Sequence, residues 1–119
     1  MKTRKKIFIS VPITGRTIED VESDIIFASG RLEKILGSDN IEIINPLELC
    51  SDIPEGSKIG VYIGRCVQTI IDDADAVYFC RDCYKSDGCR VEMVVAEFYE
   101  KKYLSYPMTE KAIANRFKI

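Results

Sequence analysis

The sequence predicts an α/β protein: a three-layer sandwich on a mostly parallel, four-stranded sheet. Short runs of β-branched and aromatic residues alternate with longer stretches whose apolar residues recur every three or four positions. One short run, Ala76-Val77-Tyr78-Phe79-Cys80, is apolar throughout, as expected of a central parallel strand covered on both faces. The resulting order, βαβαβαβα, leaves few topologies once crossovers are right-handed, and the strand order 2-1-3-4 is expected. No internal repeat, low-complexity segment or linker interrupts the pattern, so residues 1–119 read as a single domain.

Each element has its own signal. Ile7-Phe8-Ile9-Ser10-Val11 is a buried first strand, stopped by Pro12 and Thr14-Gly15. From Thr17, the apolar positions Ile18, Val21, Ile25, Ala28, Leu32 and Ile35 form one face of a helix that ends near Gly37. Ile41 to Ile44 is a second strand closed by Asn45-Pro46, and its single charge places it nearer the sheet edge. Leu47 to Ser57, rich in Pro, Gly, Ser and acidic residues, reads as a loop. Ile59, Tyr62, Ile63, Cys66, Val67, Ile70 and Ile71 space a second long helix, followed by the strand Ala76–Cys80 and a polar loop from Arg81 to Gly88. Val91, Val94, Val95 and Phe98 then predict a helix whose wet side carries Glu97, Glu100 and Lys101. Tyr103 to Tyr106 is the fourth strand, and Thr109 is the candidate N-cap of a short terminal helix reaching Phe117.

Composition removes several function classes. Seventeen basic against nineteen acidic residues give a net charge of −2, so no basic excess argues for nucleic-acid binding. The chain has no histidine, which excludes the Ser-His-Asp triad, the Cys-His dyad and His-ligated zinc or iron. Catalysis must use carboxylates, cysteine, lysine, tyrosine or backbone dipoles. No apolar stretch approaches the ~20 residues of a membrane span, and the basic start Met1–Lys6 leads into too short an apolar run for a signal peptide. A cytoplasmic protein with reduced thiols is the expectation. Cys80-x-x-Cys83, with Cys89 nearby, is a single clip where a four-cysteine zinc site shows two. Buried, unliganded cysteines are therefore expected, with no metal.

Ligands in such sheets bind at the carboxyl ends of the strands beside the topological switch, here the loops Ser10–Arg16, Asn45–Gly56 and Arg81–Gly88. The junction Ser10-Val11-Pro12-Ile13-Thr14-Gly15-Arg16 leads into a helix N-terminus, where free N–H groups, the Thr14 hydroxyl and Arg16 suit an anion such as phosphate. It matches neither G-x-G-x-x-G nor a P-loop. Glu92 falls in the first turns of the helix after Ser86-Asp87-Gly88, where the helix dipole is expected to lower its pKa. With Ala96 and Tyr99 it shares a stripe that is not the obvious solvent face, so the carboxylate can point into the cleft. A positioned carboxylate can attack an electrophilic sugar carbon; equally, a glutamate near a helix terminus can serve only as electrostatic support. Asp82, after the third strand, is a candidate second carboxylate, and Asn45 a ligand-bonding or turn-closing residue. Asp72, Asp73 and Asp75 sit at the amino end of the third strand, where turn and cap roles are expected.

The run Ile7 to Gly15 resembles the opening YISGPITG pattern of nucleoside 2-deoxyribosyltransferase-like proteins. Asp75-Ala76-Val77-Tyr78-Phe79, then Ser86-Asp87-Gly88-Cys89-Arg90-Val91-Glu92 and Ala96, are similar to that superfamily's DAIYLL…SxGAxxE…A segment, and Asn45-Pro46 also fits. The resemblance spans nearly the whole chain in the right order and is closest to the small phage and bacterial branch of unassigned function. It implies a flavodoxin-like fold and a small-molecule ligand, a nucleoside or nucleotide. It implies Glu92 as the nucleophile on C1′ of a 2-deoxyribosyl group, with no cofactor, and a homodimer or larger homo-oligomer whose neighbouring subunits help close the pocket. In relatives that hydrolyse deoxynucleoside 5′-monophosphates, the phosphate is held at positions matching Thr14, Gly15, Arg16 and Ser86, with Ser10, Pro12 and Gly88 in the same motifs. Active members carry tyrosine where this chain has Phe8, glycine where it has Val11, and a helix aspartate where it has Cys66-Val67.

Two functions of different classes follow. The first is cleavage or transfer of an N-glycosidic bond with Glu92 as nucleophile, Asp82 as its possible partner, and a 5′-monophosphate substrate favoured. The second is a catalytically silent nucleotide-binding sensor or regulatory domain. A thiol redox protein using Cys80 and Cys83 is a third and weaker reading.

Overall fold

A computed structural model describes residues 3–117; Met1 and Lys2 of the basic start lie outside the described residues. The strands β1 (Lys5–Ser10), β2 (Ile41–Ile44), β3 (Ala76–Phe79) and β4 (Lys102–Ser105) form one sheet in the order β2-β1-β3-β4. Every pairing is parallel, so the fold is the flavodoxin-like α/β sandwich that the alternating pattern predicts. The inner strands β1 and β3 supply its deepest residues: Ile7, Phe8, Ile9, Ala76 and Val77 have no exposed surface. Edge strand β2 tolerates Glu42 because half of it faces water.

The helices α1 (Ile18–Leu36), α2 (Pro46–Leu49), α3 (Ile59–Asp72), α4 (Asp87–Phe98) and α5 (Glu110–Arg116) cover the sheet. Helix α1 buries Val21, Ile25, Ala28 and Leu32, leaving Ile18 exposed in the first turn. Thr17 caps it by accepting from the Asp20 N–H, and Gly37 ends it at φ 90°, a backbone state open to glycine without a Cβ penalty. Helix α5 is capped by Thr109, as expected, and buries Ile113. Asp75 Oδ2 accepts from the Lys6 N–H at 2.8 Å, a structural role at the amino end of the sheet.

Two sequence expectations change. The segment 47–57 is not wholly loop, because Asn45-Pro46 starts the short helix α2. The Asn45 side chain accepts from the Leu47 and Glu48 N–H groups, and Pro46 occupies the first turn, where its missing N–H costs nothing. Helix α4 also begins at Asp87, earlier than its valines suggest, and it is turned. Its buried face is Cys89, Glu92 and Ala96, whereas Val91, Val94 and Phe98 face outward. The small residues Cys89 and Ala96 let α4 sit close on the sheet, and Ser10 meets Glu92 there. No helix among the described residues is long and apolar enough to cross a membrane.

Candidate functional site

Ser10 ends β1 beside the switch between β1 and β3, and its side chain is wholly buried. Its Oγ donates to Glu92 Oε1 at 2.6 Å, joining the first strand to α4 across 82 positions of sequence. Glu92 itself is 7% exposed, and with Ser10 it makes up the buried polar residues of the described chain. Ser10 therefore positions the carboxyl rather than standing open to a ligand. The carboxyl's pKa is pushed up to about 7, chiefly by burial; the Ser10 hydrogen bond pulls it down, and charge at Cys89 pushes it up. This reverses the sequence expectation of a lowered value. Glu92 lies more than a turn inside α4, where the dipole has faded, and desolvation outweighs it.

Thiols surround this pair, a feature the sequence reading did not connect to Glu92. Cys83 Sγ donates to the Ser10 carbonyl at 3.2 Å, and the same carbonyl accepts from the Cys80 N–H at 3.0 Å. Cys89 lies beside Cys83, which lowers the Cys89 pKa while its own rises. Burial pushes the Cys66 thiol up, and the charge of Glu92 adds to it. Cys66 Sγ is 3.8 Å from Cys50 Sγ, at the end of α2. All five cysteines are free, and four are buried. Among the described residues, no group of three or more Cys, Asp or Glu side chains is placed to hold a metal. Cys50, Cys66 and Cys89 come from three different helices and Cys83 from the turn before α4, so only the tertiary fold brings these sulfurs near one another. Their sequence signal is the Cys80-x-x-Cys83 clip with Cys89 nearby, which says nothing of Cys50 or Cys66.

The other sequence candidates occupy different places. Phe8 has no exposed surface and shares Ser10's face of the sheet, so its ring packs beneath the site. Pro12 is half-buried, and Thr14 and Gly15 are exposed at the tip of the first loop, with Gly15 at φ 77°. Arg16 folds back: Nη1 donates to the Pro12 carbonyl at 2.9 Å, and Nη2 pairs with Asp24 at 2.8 Å. Asn45 is occupied as the α2 cap. Ser86 caps α4 by accepting from the Cys89 N–H at 3.4 Å, and Gly88 sits where a Cβ would be 3.9 Å from Ile63 of α3. Asp82 stands in the left-handed region at φ 65°, exposed, with Lys85 Nζ 3.8 Å from its carboxylate. It does not join Glu92, because the turn Cys83–Lys85 directs it to solvent.

Segment 45–57 is tied down near the site. Arg65 of α3 donates to the Leu49 carbonyl at 3.0 Å and pairs with Asp52 at 2.8 Å, while Ile53 is buried beneath. A cavity of about 450 Å³ lies between α1 and α2, lined by Ile25, Ile26, Asn45 and Leu47 among others. It does not reach Glu92.

A family model described as a domain of unknown function, DUF4406, matches residues 5–109, from the start of β1 to the cap of α5. The chain belongs to the DUF4406 family. No curated protein and no solved structure matches it. In this DUF4406 chain the matched span carries both ends of the Ser10–Glu92 contact.

Proposed function

We propose that this DUF4406 protein cleaves or transfers an N-glycosidic bond of a nucleoside or nucleotide, with Glu92 as nucleophile. The observation that carries the reading is the buried Glu92 carboxyl held by Ser10 at 2.6 Å beside the switch point. Ionised Glu92 attacks C1′ of a 2-deoxyribosyl group, and the C1′–N bond breaks with its electron pair passing to the base, which takes up a proton from water. The glycosyl ester is then opened by water or by a second base. A 5′-monophosphate is favoured, because the exposed Thr14 and Gly15 stand just ahead of α1, where a helix N-terminus attracts an anion. Arg16 joins such an anion only by leaving Asp24.

The test is incubation with deoxynucleoside 5′-monophosphates and deoxynucleosides, with released base followed by chromatography. Base release that falls ~10³-fold or more in Glu92→Gln supports the reading. No release from any substrate, or equal release from the variant, overturns it. One observation favours a silent nucleotide-binding domain instead: Glu92 is closed off and lacks a neighbouring carboxylate, since Asp82 faces solvent. That reading expects nucleotide-induced thermal stabilisation without product.

We also propose that the chain self-associates in the cytoplasm. The stripe Val91, Val94 and Phe98 on the outer face of α4 supports this, with Phe98 78% exposed.

A further inference from the structure

Segment 45–57 and helix α3 meet through a pair of thiols that the glycosidic chemistry does not use. Cys50 caps α2: its N–H donates to the Pro46 carbonyl at 3.1 Å, and its own carbonyl accepts from the Ile53 N–H at 3.1 Å. The Cys50 backbone is thus fixed on both sides. Cys66 lies within α3 and is 7% exposed. The two sulfurs, from residues 16 positions apart, are 3.8 Å from each other.

Arg65, the residue before Cys66, holds this contact in register. Its guanidinium donates to the Leu49 carbonyl at 3.0 Å and to Asp52 at 2.8 Å, gripping the chain on either side of Cys50. Tyr62, one turn earlier in α3, donates to the Pro54 carbonyl at 3.2 Å. A disulfide needs its sulfurs ~2.05 Å apart, so closing this pair asks for about 2 Å of movement, within the reach of side-chain rotation.

The two thiols differ in access. Cys50 is half-buried, whereas Cys66, like Cys80, Cys83 and Cys89, is buried. Burial also raises the Cys66 thiol, with the Arg65 charge opposing it. Cys83, the second sulfur of the Cys80-x-x-Cys83 clip, is committed to the Ser10 carbonyl at 3.2 Å. An oxidant arriving from solvent therefore meets Cys50 first.

We propose that Cys50 and Cys66 form a redox pair, in which Cys50 reacts with a small disulfide and Cys66 resolves the adduct. The Cys50 thiolate attacks one sulfur of the small disulfide, whose S–S bond breaks, and the other half leaves as a thiolate with the bonding pair. Cys66 then gives up its proton and attacks Cys50 Sγ, expelling the second half. Two cysteine thiols are oxidised to one disulfide, the small disulfide is reduced to two thiols, and the cysteine protons end on them. The new bond fastens segment 45–57 to α3. Disulfides of this kind are transient where the compartment otherwise keeps thiols reduced. The step requires neither a nucleotide nor ionised Glu92, so it stands apart from glycosidic bond cleavage.

The test equilibrates the whole chain with oxidised and reduced glutathione in varied ratio, traps free thiols by alkylation and locates the linkage by peptide mass spectrometry. As oxidised glutathione increases, two of the five free thiols should disappear into a Cys50–Cys66 bond within one chain. The oxidised chain should melt several degrees higher, because the bond closes a loop in the unfolded state, and dithiothreitol should reverse the rise. Cys66→Ala should stop at a single glutathione adduct on Cys50, and Cys50→Ser should leave Cys66 reduced. Retention of all five thiols at the most oxidising ratio overturns the proposal, as does a bond between other cysteines or between chains. An adduct that persists on Cys50 of the parent chain also overturns it, since Cys66 then fails to resolve it. A lower melting temperature on oxidation does the same, because the fold would have to distort to make the bond.

Discussion

At neutral pH the Glu92 carboxyl stands near the midpoint of its titration, because burial has raised it from an ordinary 4.5 to about 7. The raised value makes a stability signature of definite sign. Below pH 4.5 the carboxyl is protonated in both the folded and unfolded chains. Between there and pH 7 the unfolded chain releases the proton while the folded chain retains it, so stability falls as pH rises, by ~3 kcal/mol in all. Glu92→Gln cannot titrate. Its thermal stability relative to the parent chain should climb over that interval and then level off, as melting curves across the range will show; parallel curves would refute the burial argument. The proposed nucleophile is the ionised form, so base release should rise through pH 7 over the same titration. The contact that holds it, Ser10 to Glu92, was half legible. The sequence nominated both residues, but as a ligand contact and a nucleophile rather than as partners, because their meeting depends on how α4 is rotated.

That rotation belongs to the scale of the element. Val91, Val94, Val95 and Phe98 mark α4 as amphipathic, and from periodicity alone they are its inner face. In the structure Cys89, Glu92 and Ala96 take that face, because two small side chains allow close approach and Glu92 finds Ser10 as a partner. The stripe of Glu92 and Ala96 is legible as one that avoids solvent; what a hydrophobic count cannot anticipate is that the carboxyl is closed off, its desolvation partly offset by a hydrogen bond from another element. The start of the helix carries a local signal that the loop expectation for 81–88 passes over, since Ser86 is an ordinary N-cap residue. Ser86→Ala should cost about 1 kcal/mol in urea denaturation. It should also speed amide exchange in the first turn of α4, where the Cys89 N–H loses its acceptor. Asn45-Pro46 is the same kind of signal for α2, but it fits the close of a strand equally well, and four residues are too few for any periodicity to register, so the segment reads as loop.

For the whole molecule, the rotation of α4 leaves an apolar stripe outside. Phe98 stacks edge-on against Tyr99, with ring centroids 5.3 Å apart, and has no other aromatic cover among the described residues. If a second copy covers this stripe, Phe98→Asp should shift the chain to monomer in sedimentation or light scattering without lowering its melting temperature as a monomer. An unchanged mass would remove the basis for self-association through α4.

By itself the sequence determined the alternation of strands and helices, the parallel sheet, the order β2-β1-β3-β4 and the end of the sheet where a site can form. These follow from local periodicity, turn chemistry and the handedness of crossovers. Only the tertiary structure decided that Val91, Val94 and Phe98 turn outward, that Glu92 is buried and hard to ionise, and that Arg16 and Asp82 pair away from it. Each of these depends on desolvation and on contacts between residues far apart in the chain, which no local pattern records.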